Sequence, residues 1–446
     1  MPKLIKYVWH VYKVVGWGVP VDSTTSILAD CLFEAVYEGD YDRVFKICID
    51  EKFLKTDYCL LLFSEDNDES YIQLPNVFNA HEGNIRIVNI FKGDRVKILS
   101  PKVLNDVKNN PTGESEVGLC LDFDDQIVQK IASAYLTGKH SNGFEDIKKY
   151  ISKYGYCGGS WLPRPYVQEE FSKEWAKEEE KNKIKQIWST WCRIKDLSKE
   201  EFDLLHFDGS DNLDTPDGKE IDFTELREAY LATRIQNHFY IAFLLVLRTI
   251  NLLINHCKSE KDALEKLYSY SRLEINVLAE LEILACLAII RNNFSNKKKK
   301  GFFGKIEKVV NIGKHVSQDT KQSCLNEIIH VARNSAYDIT HFRMCFLETA
   351  YESTPGDKNK NPRALFHSLL TEDQGLADLA ESLQVKAFLF FPECEYYPLF
   401  QTPLNFVLEE FGIRPIEKTS DHIPDFNDLF ETTKQEISNS LDHVTG

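Results

Sequence analysis

What this sequence lacks narrows its function before any motif is considered. None of its 11 cysteines stands in a CxxC pair, and the count is odd. Redox pairs, zinc-ribbon spacing and an extracellular disulfide framework are therefore not expected; reduced, buried thiols are. No GxxxxGK[ST] run exists, and Gly301-Phe302-Phe303-Gly304-Lys305 has the wrong spacing, which argues against nucleotide hydrolysis by a phosphate loop. Positive charge is scarce: 53 Lys and Arg stand against 69 Asp and Glu, a net charge of −16. Such a surface repels a phosphate backbone, so any nucleic-acid contact needs a local basic patch. No repeat returns at a fixed period. An unbroken apolar leader is missing too, because residues 1–21 alternate apolar and polar positions as a strand does. The one long apolar run, 239–254, carries Arg248 and Asn251 in its second half, where lipid would penalise them. A buried helix and a cytoplasmic protein with no membrane contact are expected.

What is present is a chain of 446 residues, 43% of them hydrophobic, enough for a large core in two or three domains. Strand-like runs at 5–15, 58–63, 85–91 and 95–99 surround a helix at 26–38, with Gly93-Asp94 as a hairpin turn. Residues 1–112 are therefore expected to form an N-terminal α+β module, ending at Asn109-Asn110-Pro111-Thr112-Gly113. Residues 113–400 are expected to form an α/β core, a small parallel sheet flanked by helices. A polar, acidic, loosely attached tail covers 401–446.

Four segments place acids where an α/β fold does chemistry. In VGLCLDFDD an apolar strand ends at Asp122-Phe123-Asp124 and a helical period begins at once. In LFHSLLTED a second strand runs into Thr371-Glu372-Asp373 and another helix. Together they predict parallel strands whose carboxyl ends share one edge, the usual position of active groups. Asp338 lies on a mostly apolar helical stretch, where a lone carboxylate is costly unless paired or cation-bound; Arg333 and Arg343 are its candidate partners. Glu280 and Glu282 open a fully apolar helix, and one of them must face inward or cap it.

These segments resemble the PIN-domain nucleases. Asp122-Phe123-Asp124 is similar to the Asp-x-Asn turn after that family's first strand, with Asp124 in place of Asn. Glu282-Ile283-Leu284-Ala285 resembles the helix with an inward glutamate, and Ala336-Tyr337-Asp338 the Ala-x-Asp helix. Thr371-Glu372-Asp373-Gln374-Gly375-Leu376 resembles the Thr-x-Asp-x-x-Leu turn, before a closing strand. The resemblance covers about 115–136 and 270–395, and the gap from Asp122 to Glu282, far longer than a compact PIN domain needs, implies a large helical insertion at about 140–270. The resemblance implies a metal-dependent endonuclease that cleaves RNA, or single-stranded DNA, with Asp122, Glu282, Asp338 and Asp373 as catalytic acids. Asp122, Asp124, Glu282, Asp338 and Asp373 would hold Mg²⁺ or Mn²⁺, because hard oxygen ligands suit those ions. Thr371, His341 and Arg333 would support the ligands from behind. Lys297, Lys298, Lys299, Lys300 and Lys305 are the candidate phosphate contacts. RNA in preference to DNA is the expected partner, with a regulatory protein on 1–112, and a toxin or antiviral-defence role follows by analogy. Rival readings are a non-catalytic scaffold with the acids ion-paired, and a small-nucleotide phosphohydrolase. A calcium loop at 214–225 has its Gly one residue early. The HEPN ribonucleases space their Arg and His more closely than Arg333 and His341 stand.

Overall fold

Strands built by the apolar runs come from both ends of the chain and interleave. The computed structural model describes residues 23–50, 58–65, 71–74, 81–100, 116–155, 161–162, 169–170, 178–209, 235–255, 257–295, 300–353, 363–390, 396–416 and 425–444. Helices α1 (Ser23–Glu38) and α2 (Tyr41–Cys48) precede strands β1 (Cys59–Ser64), β2 (Ile72–Gln73), β3 (His81–Glu82), β4 (Ile85–Val88), β5 (Arg95–Leu99) and β6 (Glu116–Phe123). Next come α3 (Asp125–Thr137), α4 (Phe144–Tyr150), β7 (Trp161–Leu162), α5 (Glu178–Ile194), α6 (Lys199–Leu204) and α7 (Ile235–Ile254). The helices α8 (Glu260–Ser269), α9 (Glu280–Phe294), α10 (Gly301–Lys314) and α11 (Lys321–Glu352) follow. The order continues with β8 (Arg363–Thr371), α12 (Gln374–Ser382), β9 (Val385–Phe390), β10 (Tyr396–Phe400), α13 (Leu404–Glu410) and α14 (Phe426–Val444). The architecture is mixed α/β, mostly helical, with two small sheets.

One sheet has the order β3-β4-β8-β6-β7. Its β7, β6 and β8 run parallel, while β4 is antiparallel to β8 and β3 is antiparallel to β4. The β6 run VGLCL is covered on both faces, with Leu119 and Leu121 buried on one side and Cys120 on the other, as a parallel strand requires. The parallel register pairs Asp122 with Leu369 and Phe123 with Leu370, so β6 and β8 end together on one edge. The second sheet, β10-β9-β1-β5-β2, is antiparallel throughout.

Several sequence expectations change here. The boundary near residue 112 does not separate two units, because β1 pairs with β9 and β4 pairs with β8, both from the far end of the chain. Long-range pairing of this kind leaves no local mark. Gly93-Asp94 is not a hairpin turn, since β4 and β5 lie in different sheets. Gly93, at φ +83°, carries the chain between them, and a Cβ there would fall 2.2 Å from the Ser64 carbonyl oxygen, so glycine is required. The strand expected to close the parallel sheet, β9, belongs to the antiparallel one. The sheet expected to be parallel is therefore mixed, and a PIN-like topology is not established by it.

The stretch 140–270 is not simply an insertion. It supplies β7 to the mixed sheet and α7 to the core. α7 is long and apolar enough to cross a membrane, but 72% of its apolar window is buried inside the protein. Its Arg248 pairs with Glu436 of α14. That helix buries Ile437 and Leu441 completely, so 426–444 docks rather than trails. The strand expected at 5–15 and the loop 214–225 lie outside the described residues.

Candidate metal centre

The site is assembled by the shared edge of β6 and β8. The backbone N–H of Asp124 donates to the Leu370 carbonyl at 3.0 Å, fastening the two strand ends. Asp124 occupies the N-cap position of α3, yet its side chain makes no capping bond. Instead Asp124 Oδ2 accepts from Thr371 Oγ1 at 2.5 Å. Thr371 in turn accepts from the Asp373 N–H at 3.0 Å. The hydroxyl thus relays between two acids, one from each strand end.

Asp373 does two further jobs. Its Oδ1 accepts the Leu376 N–H at 3.1 Å, capping α12, and the Phe302 N–H at 3.0 Å from the first turn of α10. The approach is close enough to demand glycine at Gly301, φ +56°, where a Cβ would meet Asp373 Oδ1 at 2.0 Å. The other oxygen, Oδ2, lies 3.5 Å from Lys305 Nζ.

Asp338 arrives from α11. That helix is anchored to β8 where the His367 N–H donates to Thr349 Oγ1 at 3.1 Å and the Leu365 N–H donates to Ser353 Oγ at 2.9 Å. Helix and strand therefore run in opposite directions. From Thr349 back to Asp338 the helix covers ~16 Å, and from His367 to Thr371 the strand covers ~13 Å, which brings Asp338 to the strand edge. Asp338 is half-buried and has no hydrogen bond among the described residues.

The electrostatics show how crowded this edge is. Burial pushes the Asp338 carboxyl well above the usual range; Lys305 opposes this, while Asp124 and Asp373 add to it. Asp124 is also raised, by burial first and by Asp373, against the Thr371 hydrogen bond and Lys305. Burial would depress Lys305, but Asp338, Asp373 and Asp124 outweigh it and hold the ammonium above its ordinary value. Three carboxylates thus share one lysine, and like charges in that arrangement resist ionising together.

Two more groups stand beside Asp338. One ligand atom each from Glu169, Asp338 and His341 lies within 4.8 Å of the other two. His341 is 3% exposed, and neither ring nitrogen has a hydrogen-bond partner among the described residues. Burial lowers its pKa to about 3, so the ring is neutral.

The remaining sequence candidates are placed elsewhere. Asp122 lies two residues back from the edge, and its Oδ2 is 3.3 Å from His367 Nδ1. Glu282, 1% exposed, is held by Arg343 through bonds of 3.1 and 2.6 Å. Burial alone would raise its pKa, but Arg343 lowers it on balance. Neither Asp122 nor Glu282 joins the Asp124–Asp338–Asp373 cluster. Glu280 is a backbone acceptor, taking the Leu404 N–H at 2.8 Å. Arg333 is exposed on α11, and Arg343 is committed to Glu282, so neither pairs with Asp338. Lys300 is exposed at the start of α10, whereas Lys297, Lys298 and Lys299 lie outside the described residues. Lys305, expected as a phosphate contact, belongs to the acid cluster. Sequence reasoning missed Glu169, for which no spacing signal exists.

The chain matches no protein-family model, no curated protein and no solved structure.

Proposed function

We propose that this protein is a divalent-metal-dependent endonuclease acting on RNA, or on single-stranded DNA, through Asp124, Asp338 and Asp373. The observation that carries this reading is the gathering of three carboxylates, with a single lysine among the described residues, at the common carboxyl edge of two parallel strands. It keeps the PIN-like resemblance at Asp338, at Thr371-Glu372-Asp373 and at the Asp122-Phe123-Asp124 turn. It moves the first acid from Asp122 to Asp124 and leaves Glu282 as a structural group.

The residues suit Mg²⁺ or Mn²⁺, since the raised carboxyls of Asp124 and Asp338 are groups that a bound cation would let ionise. Such an ion, when bound, lowers the pKa of water for attack on a phosphodiester and steadies the leaving oxygen. The protein's own part is positioning. Thr371 fixes the orientation of Asp124, and the paired caps fix Asp373. Lys305, half-exposed at the rim, meets the phosphate as a point charge, and the lysine run at 297–300 leads directly into it along the chain. A regulatory partner, and a toxin or antiviral-defence role, extend this reading by analogy alone.

A non-catalytic scaffold is the second reading. It is favoured by Asp373, whose capping of two helices is a sufficient structural reason for that residue. The test is cleavage of a single-stranded RNA by the full chain with Mg²⁺ or Mn²⁺, its loss with EDTA, and its loss in Asp124→Asn and Asp338→Asn variants that stay folded. Cleavage unchanged in both variants would remove the assignment.

A further inference from the structure

We infer that Glu169, Asp338 and His341 form a second cation position next to the acid cluster, one that takes Mn²⁺ or Zn²⁺ in preference to Mg²⁺. The inference rests on the proposed reading only in sharing Asp338 as a ligand. Its own observation is His341.

A buried imidazole normally satisfies at least one ring nitrogen, because leaving a buried polar atom without a partner costs roughly 1–3 kcal/mol. Among the described residues His341 satisfies neither, although it is almost fully enclosed. One of its nitrogens lies instead within 4.8 Å of carboxylate oxygens of both Glu169 and Asp338. Direct contact among these ligand atoms is not required: with bonds of ~2.0–2.2 Å, ligands around one ion stand ~3–4 Å apart, a spacing that the 4.8 Å bound on these atoms allows.

The helix supplies the spacing. Asp338 and His341 are three residues apart on α11 and so project from one face. Glu169 closes the triangle from another part of the chain. Two oxygens and one neutral nitrogen are a borderline donor set. Mg²⁺ favours oxygen and water, whereas imidazole favours Mn²⁺, and Zn²⁺ more strongly, in line with the general affinity order. Asp338, standing between this triangle and Asp124, would bridge the two positions.

The experiment is Mn²⁺ binding to the full chain, measured by equilibrium dialysis and by pulsed electron paramagnetic resonance, with Mg²⁺ as competitor. The expected result is a Mn²⁺ affinity at least ~10-fold above that for Mg²⁺, with a ¹⁴N coupling from one imidazole. His341→Gln should erase the coupling and weaken Mn²⁺ by ~10–100-fold, leaving Mg²⁺ affinity within about twofold. Asp124→Asn should keep the nitrogen signal. Glu169→Gln changes a half-buried residue and carries the affinity test if His341→Gln does not fold. Mn²⁺ bound without ¹⁴N coupling, no Mn²⁺ or Zn²⁺ binding at millimolar concentration, or equal Mn²⁺ affinity in Glu169→Gln and His341→Gln as in wild type would overturn the inference. RNA cleavage separates the two readings. A nitrogen signal without cleavage sinks only the nuclease, and Mg²⁺-dependent cleavage without a nitrogen signal sinks only the second position.

Discussion

Two acid sites, one buried and one half-buried, share one helix and solve the same electrostatic problem in opposite ways. On one side of α11, Arg343 holds Glu282 by two hydrogen bonds and also reaches Tyr396. His238 nearby is kept neutral, its pKa lowered to about 4 by burial and Arg343. On the other side Asp338 joins Asp124 and Asp373 around Lys305, the one cation acting on all three among the described residues. Arg343 lies five positions after Asp338, ~140° around the helix, so the same element presents a closed ion pair and an open cluster to different neighbours. A charge whose geometry is complete is part of the scaffold. A set of like charges left short of counter-charge calls for a ligand.

The largest expected effect separates the two sites by activity. Asp338→Asn and Asp124→Asn should each lower RNA cleavage by at least ~100-fold, the upper end of what loss of even an indirect metal contact costs. Lowered activity in Glu282→Gln should follow the folded fraction only, and a profile of rate against urea would show it.

Stability should sort them the other way. Glu282→Ala leaves the Arg343 charge buried and unpaired, which costs roughly 3–5 kcal/mol, read as a lowered urea midpoint. Asp338→Asn should instead stabilise the metal-free protein at neutral pH, seen as a raised Tm. The sign follows from the raised carboxyl. The folded state holds that proton more tightly than the unfolded one, so wild type loses stability as pH climbs from about 3.9 through the folded value. The advantage of Asp338→Asn should therefore vanish below pH ~4 and be complete above the folded pKa.

The smallest effect concerns the approach of substrate. Replacing Lys297, Lys298, Lys299 and Lys300 by Ala should make the dependence of log affinity on log salt shallower by up to ~3, at ~0.7 for each single-strand phosphate contact. An unchanged slope would assign the run to ordinary solvated loop and return attention to Lys305.

How much of this was legible in the sequence depended on the range of the interaction. Strand ends running into acids and then helices gave the edge, and the i, i+3 spacing gave Asp338 and His341 one face. Asp122 and Asp124 could not be told apart, because alternation puts both on the same face and only the register with β8 shows which one lies past the last paired residue. The pairing of Glu282 was not legible because its partner, Arg343, is 61 residues away on another helix. The mixing of N-terminal strands into both sheets, and the arrival of Glu169, depend on tertiary pairing that leaves no periodic trace.

The most direct test of the contrast between the two sites is a thermal unfolding series with and without Mn²⁺. Wild type at saturating metal should gain ~3–4 kcal/mol at 100- to 1,000-fold excess over Kd, a Tm shift of several degrees. A Glu282→Gln protein, starting lower, should gain the same increment, while Asp338→Asn, starting higher, should gain almost nothing. An equal metal increment in Asp338→Asn and wild type, or its loss in Glu282→Gln with Asp338 intact, would contradict the division between a closed pair and an open site.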